Sequence, residues 1–312
     1  MAKFAIDRTA MVLGDGASLL VHRIQGEPLW AQPLRSPIEH VGIRGTSVVA
    51  LEVSGQLSYF QLATGQWFTG ATLPGSGASH APLANTRALR VSAHGSVAVI
   101  GSQGEVLLAD RRGVSTLPGL APATAIAFSR NGTALGVGYE NGSVVVYDLR
   151  NLVGGGSLAV GSSPIVSLAA FAGDQGEGWF ASSGLNIFRV DQKGISHFTG
   201  NPDANVGALA VSDHGGALAV QVSSVAVNVL STSTKEVACT IRYVSGRTVE
   251  GLGFGTSNVL GIGIGGPDAN GVNLVDGSVF RTDPQPSLPR VSRSQWAVAV
   301  NVVQSVAQEI RF

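Results

Sequence analysis

Histidines and nucleophile motifs are the first places to look for chemistry in this sequence. The chain has six histidines, which are His22, His40, His80, His94, His197 and His214. Their spacing does not match the short intervals typical of metal ligands. The chain also lacks the Gly-x-Ser-x-Gly nucleophile elbow of many hydrolases. The sequence therefore predicts neither a metal site nor catalytic residues.

A glycine-rich turn late in the chain has the spacing of a dinucleotide-binding fingerprint. It contains Gly261, Gly263 and Gly266 in the pattern G-x-G-x-x-G. That motif binds pyrophosphate only when a helix opens directly after it. Here the turn at Asp268 leads into another strand-like run, and Asp268 with Asn270 lacks the further carboxylates of a calcium loop. We therefore predict no bound cofactor.

Charge and cysteine content restrict the classes of partner. The 20 basic and 20 acidic residues give a formal net charge of zero, so no overall field attracts nucleic acid or an anionic membrane. Cys239 is the only cysteine, and we predict a small buried apolar residue there. No segment resembles a signal peptide, and no apolar stretch reaches the roughly 18 residues of a membrane span. We expect a cytoplasmic protein, and the Ala, Gly and Val content favours a bacterial source.

Short hairpins recur along the whole chain and must position any functional side chain. Each copy has two apolar runs around a Gly-bearing or polar turn, as in "ALGVGYENGSVVVYDL" from Ala134. The eight copies begin at Met11, Val48, Val97, Ala134, Gly178, Ala217, Val259 and Trp296. Their mean spacing of about 41 residues is the period of four-stranded propeller blades. The inner strands, such as "TAIAFS" from Thr124, have the small residues expected near a crowded axis.

One copy resembles the WD-repeat family. The stretch "AFSRNGTALGVGYENGSVVVYDL" has the family's inner strand, Asn-Gly turn, second strand, polar turn and third strand, and it ends in the aromatic-Asp pair Tyr147-Asp148. Other copies place Arg23-Ile24 or Ala109-Asp110 at the Trp-Asp position, and the Gly-His pair expected early in each blade is absent. The resemblance implies a rigid propeller that presents loops to a protein partner, without the family's buried side-chain hydrogen-bond network.

The repeat and the resemblance together predict the architecture. We expect one all-β domain over residues 1–312, a β-propeller of four-stranded antiparallel blades. Seven blades are favoured if the first and last hairpins share one blade, and eight is the alternative. We expect the N- and C-terminal strands to pair and close the ring, because an unpaired edge there would let it open.

We predict a non-enzymatic scaffold that binds a protein or peptide partner. The predicted binding face has the turns between second and third strands and the loops between blades, including the long loop Thr72–Arg87. Candidate contact residues on that face are Asp15, His80, Glu140, Asn141 and Asp268. If that face does not bind, Arg111 and Arg112 on the opposite face become the leading candidates. A propeller hydrolase or lyase and a small-ligand or glycan-binding propeller are the alternative functions.

Overall fold

The described residues of the chain form seven antiparallel sheets. This computed structural model describes residues 3–7, 10–24, 27–73, 86–110, 113–119, 121–173, 176–200, 204–242, 249–255, 259–264, 269–273 and 279–281. Six sheets have four strands and one has five. Among the described residues there is no helix, and hence none with the length and apolar character to span a bilayer.

The strands of each sheet follow one another in the sequence. The first sheet has β1 (Lys3–Asp7), β2 (Ala10–Asp15), β3 (Ser18–Arg23) and β4 (Pro28–Pro33). The second has β5 (Ile38–Arg44), β6 (Ser47–Glu52), β7 (Gln56–Gln61) and β8 (Trp67–Thr72). The third has β9 (Ala88–Val91), β10 (Val97–Ile100), β11 (Val106–Asp110) and β12 (Gly113–Leu117).

The fourth sheet has an interrupted outer strand. It contains β13 (Ala123–Phe128), β14 (Ala134–Tyr139), β15 (Ser143–Asp148), β16 (Val153–Gly154) and β17 (Leu158–Ala159). Both β16 and β17 pair with β15, one at each end. Together they take the place of the single fourth strand of the other sheets.

The last three sheets return to four uninterrupted strands. The fifth has β18 (Ile165–Gly173), β19 (Gly176–Ser183), β20 (Asn186–Asp191) and β21 (Gly194–Gly200). The sixth has β22 (Leu209–Val211), β23 (Ala217–Ser223), β24 (Ala226–Ser231) and β25 (Val237–Arg242). The seventh has β26 (Val249–Phe254), β27 (Val259–Ile264), β28 (Ala269–Asn273) and β29 (Val279–Arg281). The prediction of four-stranded antiparallel blades is confirmed, and seven of the predicted hairpins are the second and third strands of these sheets. The eighth, from Trp296, lies outside the described residues.

The hydrophobic core lies between neighbouring sheets. Between the third and fourth sheets, for example, Ile100 and Leu108 pack with Leu135, Val137 and Tyr139 in one buried cluster. Similar clusters join each consecutive pair of sheets from the first to the seventh. A twisted sheet that has two apolar faces is stable only when both are covered, which explains why the sheets stack face to face.

The first strands of the sheets contact one another in a continuous cycle. In order these strands are β1, β5, β9, β13, β18, β22 and β26, and β26 contacts β1. At that last contact Phe4 and Ile6 lie against glycines of the seventh sheet, and a Cβ atom on Gly253 or Gly261 would overlap the Ile6 side chain. The predicted hydrogen bonding between terminal strands is not confirmed, because β1 pairs only with β2 among the described strands. The first and last described sheets instead meet through side-chain packing.

Polar side chains near the start of the first strands join neighbouring sheets. The register of these strands shifts at this point in four sheets, so that residues such as Glu39 and Thr124 leave the regular ladder. The Thr124 hydroxyl donates to the carbonyl oxygen of Ile165 in the next sheet over 2.6 Å. These contacts provide inter-sheet hydrogen bonds in a chain whose repeats lack the Gly-His pair.

The Tyr147-Asp148 pair has a structural role in the fourth sheet. The Tyr147 side chain is buried, and its hydroxyl donates to the carbonyl oxygen of Pro118, which follows the third sheet. The Tyr147 and Tyr139 hydroxyls are also 2.9 Å apart. Asp148 is exposed, and its carboxylate accepts the backbone N–H of Arg150. The pair therefore stabilises the end of β15 and the contact with the third sheet.

One ion pair reaches past a neighbouring sheet. Arg130, in the turn after β13 of the fourth sheet, lies 2.7 Å from the carboxylate of Asp213 in the sixth sheet. The Arg130 guanidinium also donates to the carbonyl oxygens of Val211 and Ser212, at 2.8 and 2.6 Å. Because both charged side chains are mostly buried, this contact is screened less by solvent than an exposed pair. The contact therefore joins the fourth and sixth sheets, which are not consecutive in the chain.

Candidate functional site

The structure places three of the predicted contact residues on one face. Asp15 ends β2, and Glu140 with Asn141 forms the exposed turn between β14 and β15. Both turns join second to third strands, so they lie at the same end of their sheets. The second and third sheets lie between them in chain order, and no described hydrogen bond or ion pair links the two turns. The Asn141 side chain accepts two hydrogen bonds from Ser143, which is a local turn contact.

Other predicted residues lie outside the described part of the chain. These are His80, Asp268, Arg111, Arg112 and residues 74–85 of the predicted binding loop. The described ends of that loop are buried at Leu73 and Thr86. The Leu73 amide donates to the Gly55 carbonyl oxygen over 3.0 Å, and the Thr86 amide donates to the Glu39 carboxylate over 2.5 Å. Both ends of the loop are thus attached to the second sheet.

Two histidines lie in equivalent turns of the repeat. His94 and His214 lie between the first and second strands of the third and sixth sheets. Each precedes a glycine with a left-handed backbone, Gly95 at φ +81° and Gly215 at φ +70°. Only glycine adopts this conformation without steric cost, so the His-Gly pairs are turn elements of the repeat.

The remaining described histidines and the cysteine have structural environments. His22 is buried on β3, and His40 is hydrogen-bonded at 2.8 Å to the Thr86 carbonyl oxygen. His197 contacts the Asn186 side chain over 3.1 Å. Cys239 on β25 is half-buried rather than buried as predicted, and burial raises the pKa of its thiol. Within the described ranges, no three His, Cys, Asp or Glu side chains could hold one metal ion.

A groove of about 970 Å³ opens beside the second and third sheets. We call it the lateral groove. Its walls include Tyr59 on β7, Phe68 to Ala71 on β8, and Leu108 to Asp110 on β11. Its rim includes His94 and the turns around Thr46 and Thr133, which join first to second strands. The lateral groove therefore opens on the face opposite to the one that the sequence analysis favours.

An aromatic pair forms one wall of the lateral groove. The rings of Tyr59 and Phe68 have centroids 6.0 Å apart and are tilted by 55°. Tyr59 is 8% exposed and Phe68 is 52% exposed. The neighbouring Trp67 is exposed as well, but it points to the other side of the sheet, beside its cross-strand partner Phe60. Phe68 is thus a large apolar surface within the groove, and Trp67 lies outside it.

Charged and polar groups surround this aromatic pair. Arg44 at the rim lies 3.4 Å from the Asp7 carboxylate, and the exposed His94 imidazole borders the same space. Burial, and secondly the negative charge of Asp110, raise the pKa of Tyr59 to about 12. The Tyr59 phenol therefore keeps its proton at neutral pH. No described residue hydrogen-bonds to its hydroxyl, which leaves that group as a donor for a bound partner.

The raised pKa of Tyr59 predicts a loss of stability in alkaline solution. Below pH 10 the folded and unfolded states both keep the phenol proton, and the contribution of Tyr59 is fully present. Between pH 10 and about 12 only the unfolded chain releases it, so stability falls as the pH rises. Over this pH interval, we expect the unfolding free energy of Tyr59→Phe to fall by roughly 1–2 kcal/mol less than that of the parent protein. Urea titrations at pH 9.5 and 11.5 measure the difference, and identical losses would contradict the assigned environment.

No sequence motif marks the lateral groove. Its only local signal in the sequence is the adjacent aromatic pair Trp67-Phe68, which follows the hairpin copy from Val48. Adjacent positions on a strand point to opposite faces, so at least one ring of such a pair is expected to be exposed or to face another sheet. Which ring borders a groove depends on the shape of the neighbouring sheet, and that is set by the fold.

Comparisons with known proteins support the fold and nothing finer. No protein-family model matches the chain, and no curated protein matches it either. Among solved structures, the β-propeller domain of Cps50 (Swd1) from Myceliophteria thermophila superposes with a TM-score of 0.67. The match covers 89% of this chain and 95% of that one at 12% sequence identity. With its four-stranded blades and the Tyr147-Asp148 repeat, the chain is a WD-repeat-like β-propeller.

Proposed function

We propose that this protein is a non-enzymatic interaction module that binds a protein partner in the lateral groove. The observation that carries the proposal is the half-exposed Phe68 ring beside the Tyr59 hydroxyl, to which no described residue hydrogen-bonds. Both residues lie on strands of the second sheet. Aromatic residues are enriched in protein interfaces, where the ring supplies contact area and a tyrosine hydroxyl supplies a directed hydrogen bond. The WD-repeat-like fold, which commonly mediates protein interactions, supports this class of function.

The partner should present an apolar side chain next to a hydrogen-bond acceptor. The apolar group would pack on Phe68, and the acceptor would receive the Tyr59 proton. The groove volume of about 970 Å³ accommodates several side chains of an extended segment. Because Tyr59 and Phe68 belong to paired strands, little ordering of the groove would be needed on binding.

The test compares two aromatic substitutions on one strand. Phe68→Ala should lower the unfolding free energy by less than about 1 kcal/mol, because the ring is half exposed. It should weaken binding of a partner captured from the native source at least about tenfold, or ~1.4 kcal/mol. Trp67→Ala is the matched control, since it removes an equally exposed ring outside the groove. Calorimetric titration of both variants measures the affinities, and equal losses would contradict binding in the groove.

The face with the turns between second and third strands is the second candidate for the binding surface. The sequence analysis favours that face, with Asp15, Glu140 and Asn141 among the described residues. Replacing residues 75–84 with a few Gly and Ser residues should leave the midpoint temperature nearly unchanged, since loop closure depends weakly on length. If Phe68→Ala leaves the affinity of the partner unchanged and the shortened loop abolishes binding, the partner binds the face with the turns between second and third strands.

We also propose a single seven-bladed ring for the chain. The seven sheets and the cycle of contacts between their first strands support it. A cytoplasmic location and a bacterial source stay predictions from the sequence.

A further inference from the structure

The outer edge of the second sheet has backbone groups that no described strand covers. Strand β8 is the last strand of this sheet, and among the described strands it pairs only with β7. Just after β8, the Leu73 amide donates to the Gly55 carbonyl oxygen over 3.0 Å. Because alternate residues of an antiparallel strand face the same neighbour, Gly70 and Thr72 direct their N–H and C=O groups away from β7. These groups are left for water or for another strand.

Strand β25 of the sixth sheet shows how an equivalent edge is protected. Both β8 and β25 have a register shift at the same place in their pairing with the third strand. Thr72 and Arg242 occupy the same position, opposite the first residue of that third strand, which is Gln56 in one sheet and Ala226 in the other. A charged side chain on an outer strand opposes pairing with another chain. Strand β25 has such a charge, whereas β8 has none.

Other sheets protect their outer strands by different means. Strand β4 begins at Pro28 and ends at Pro33, and proline has no N–H group for pairing. The outer strand of the fourth sheet is divided into β16 and β17. Strand β8 has no proline and no interruption, and it exposes two aromatic rings, Trp67 at 58% and Phe68 at 52%. An uncharged, exposed apolar edge of this kind favours pairing with another chain.

A second copy of the chain fits this edge. When two β8 strands run antiparallel about a two-fold axis at Gly70, this residue faces itself and Thr72 faces Phe68 of the second copy. Gly70 has no side chain that would collide with its copy at the axis. Both strands are already ordered by pairing with β7, so less entropy is lost than on binding a flexible peptide. The formal net charge of zero gives no overall repulsion between two copies.

We propose that β8 pairs with β8 of a second copy and forms one continuous antiparallel sheet across a symmetric dimer. The backbone groups of Gly70 and Thr72 make the hydrogen bonds of this pairing. The exposed Trp67 and Phe68 rings lie beside the new pair of strands and lose contact with water. The dimer goes beyond the function proposed for the lateral groove and does not depend on it, because it needs no other protein.

Sedimentation equilibrium of the full chain at neutral pH measures the dimer. The protein should change from monomer to dimer as its concentration rises to about 100 µM, the range expected for a small interface. Thr72→Arg gives β8 the charge that β25 has, and it should weaken the dimer at least about tenfold. Gln66→Arg is the matched control, because it adds the same charge at an exposed position just before β8. It should leave the dimer unchanged.

Hydrogen exchange gives a second measurement that needs no substitution. The amides of Gly70 and Thr72 should exchange at least about tenfold more slowly in concentrated than in dilute protein, as pairing covers them. The Ala71 amide, which already faces β7, should change little. A chain that stays monomeric, a dimer that Thr72→Arg leaves intact, an equal loss in Gln66→Arg, or unchanged exchange at Gly70 and Thr72 would overturn the proposal. None of these outcomes alters the comparison of Phe68→Ala with Trp67→Ala, so the two proposals fail separately.

Discussion

Gly142→Ala is expected to lower the unfolding free energy by about 3 kcal/mol or more. Gly142 lies in the turn between β14 and β15 with φ at +77°, which disfavours any residue that has a Cβ atom. The added Cβ would also overlap the carbonyl oxygen of Gly161 and lie 2.8 Å from that of Ser163. The Gly142 carbonyl accepts the amides of Val160 and Gly161, at 3.0 and 3.1 Å, so this backbone is held in place.

Gly16 provides the matched control for this substitution. It occupies the corresponding turn of the first sheet, with φ at +56°, and nothing lies within 4 Å of an added Cβ atom. Gly16→Ala therefore tests the backbone conformation alone, and we expect a loss of about 1–2 kcal/mol. Urea titrations of the two variants measure the difference. Equal losses would show that the backbone near Gly161 moves freely and that the close packing there contributes nothing.

A double substitution tests the contact between the first and seventh sheets. Gly253→Ala alone should cost about 1–3 kcal/mol, because its Cβ atom would overlap the Ile6 side chain. The same substitution should cost at least about 1 kcal/mol less in an Ile6→Ala background, where the space is free. This coupling exists only if β1 packs on β26 in the folded protein.

The control for this cycle is a glycine with open space around it. Nothing lies within 4 Å of a Cβ atom added at Gly216 in the sixth sheet, and its φ is not in the left-handed region. Gly216→Ala should change the unfolding free energy by less than about 0.5 kcal/mol, both in the parent protein and in the Ile6→Ala variant. Additive losses for Ile6 and Gly253, measured by denaturant titration, would contradict the packing of β1 on the seventh sheet.

The hairpins were predictable from the sequence, whereas the outer strands were not. A hairpin such as Ala134–Asp148 has its turn and both apolar runs within a short stretch, so local pattern is sufficient. The interrupted strand of the fourth sheet consists of two short segments, and these pair with opposite ends of β15. No periodic pattern specifies such an arrangement in so few residues.

The contact between the first and seventh sheets was also beyond the sequence pattern. Strand pairing of the termini stays a prediction, because the C-terminal hairpin lies outside the described residues. The described contact depends on the absence of side chains on Gly253 and Gly261, which leaves room for Ile6. A glycine in a strand predicts either a bulge or a close approach. Only the fold shows which neighbour approaches.

The candidate sites depend on contacts between sheets that are distant in sequence. Phe68 and Asp110 border one groove although a whole hairpin separates them in the chain. Side chains that define such sites have no fixed spacing, so sequence motifs cannot identify them.

The Arg130–Asp213 contact changes how the stacked sheets should unfold. In a repeat protein whose units touch only their neighbours, each unit can open with the loss of two interfaces. Here the fourth and sixth sheets are also joined directly, by an ion pair and two further hydrogen bonds from one guanidinium. Opening of either sheet therefore also breaks a contact with a sheet that is not its nearest neighbour. The fourth to sixth sheets should exchange their amide hydrogens as one cooperative unit, with similar opening free energies.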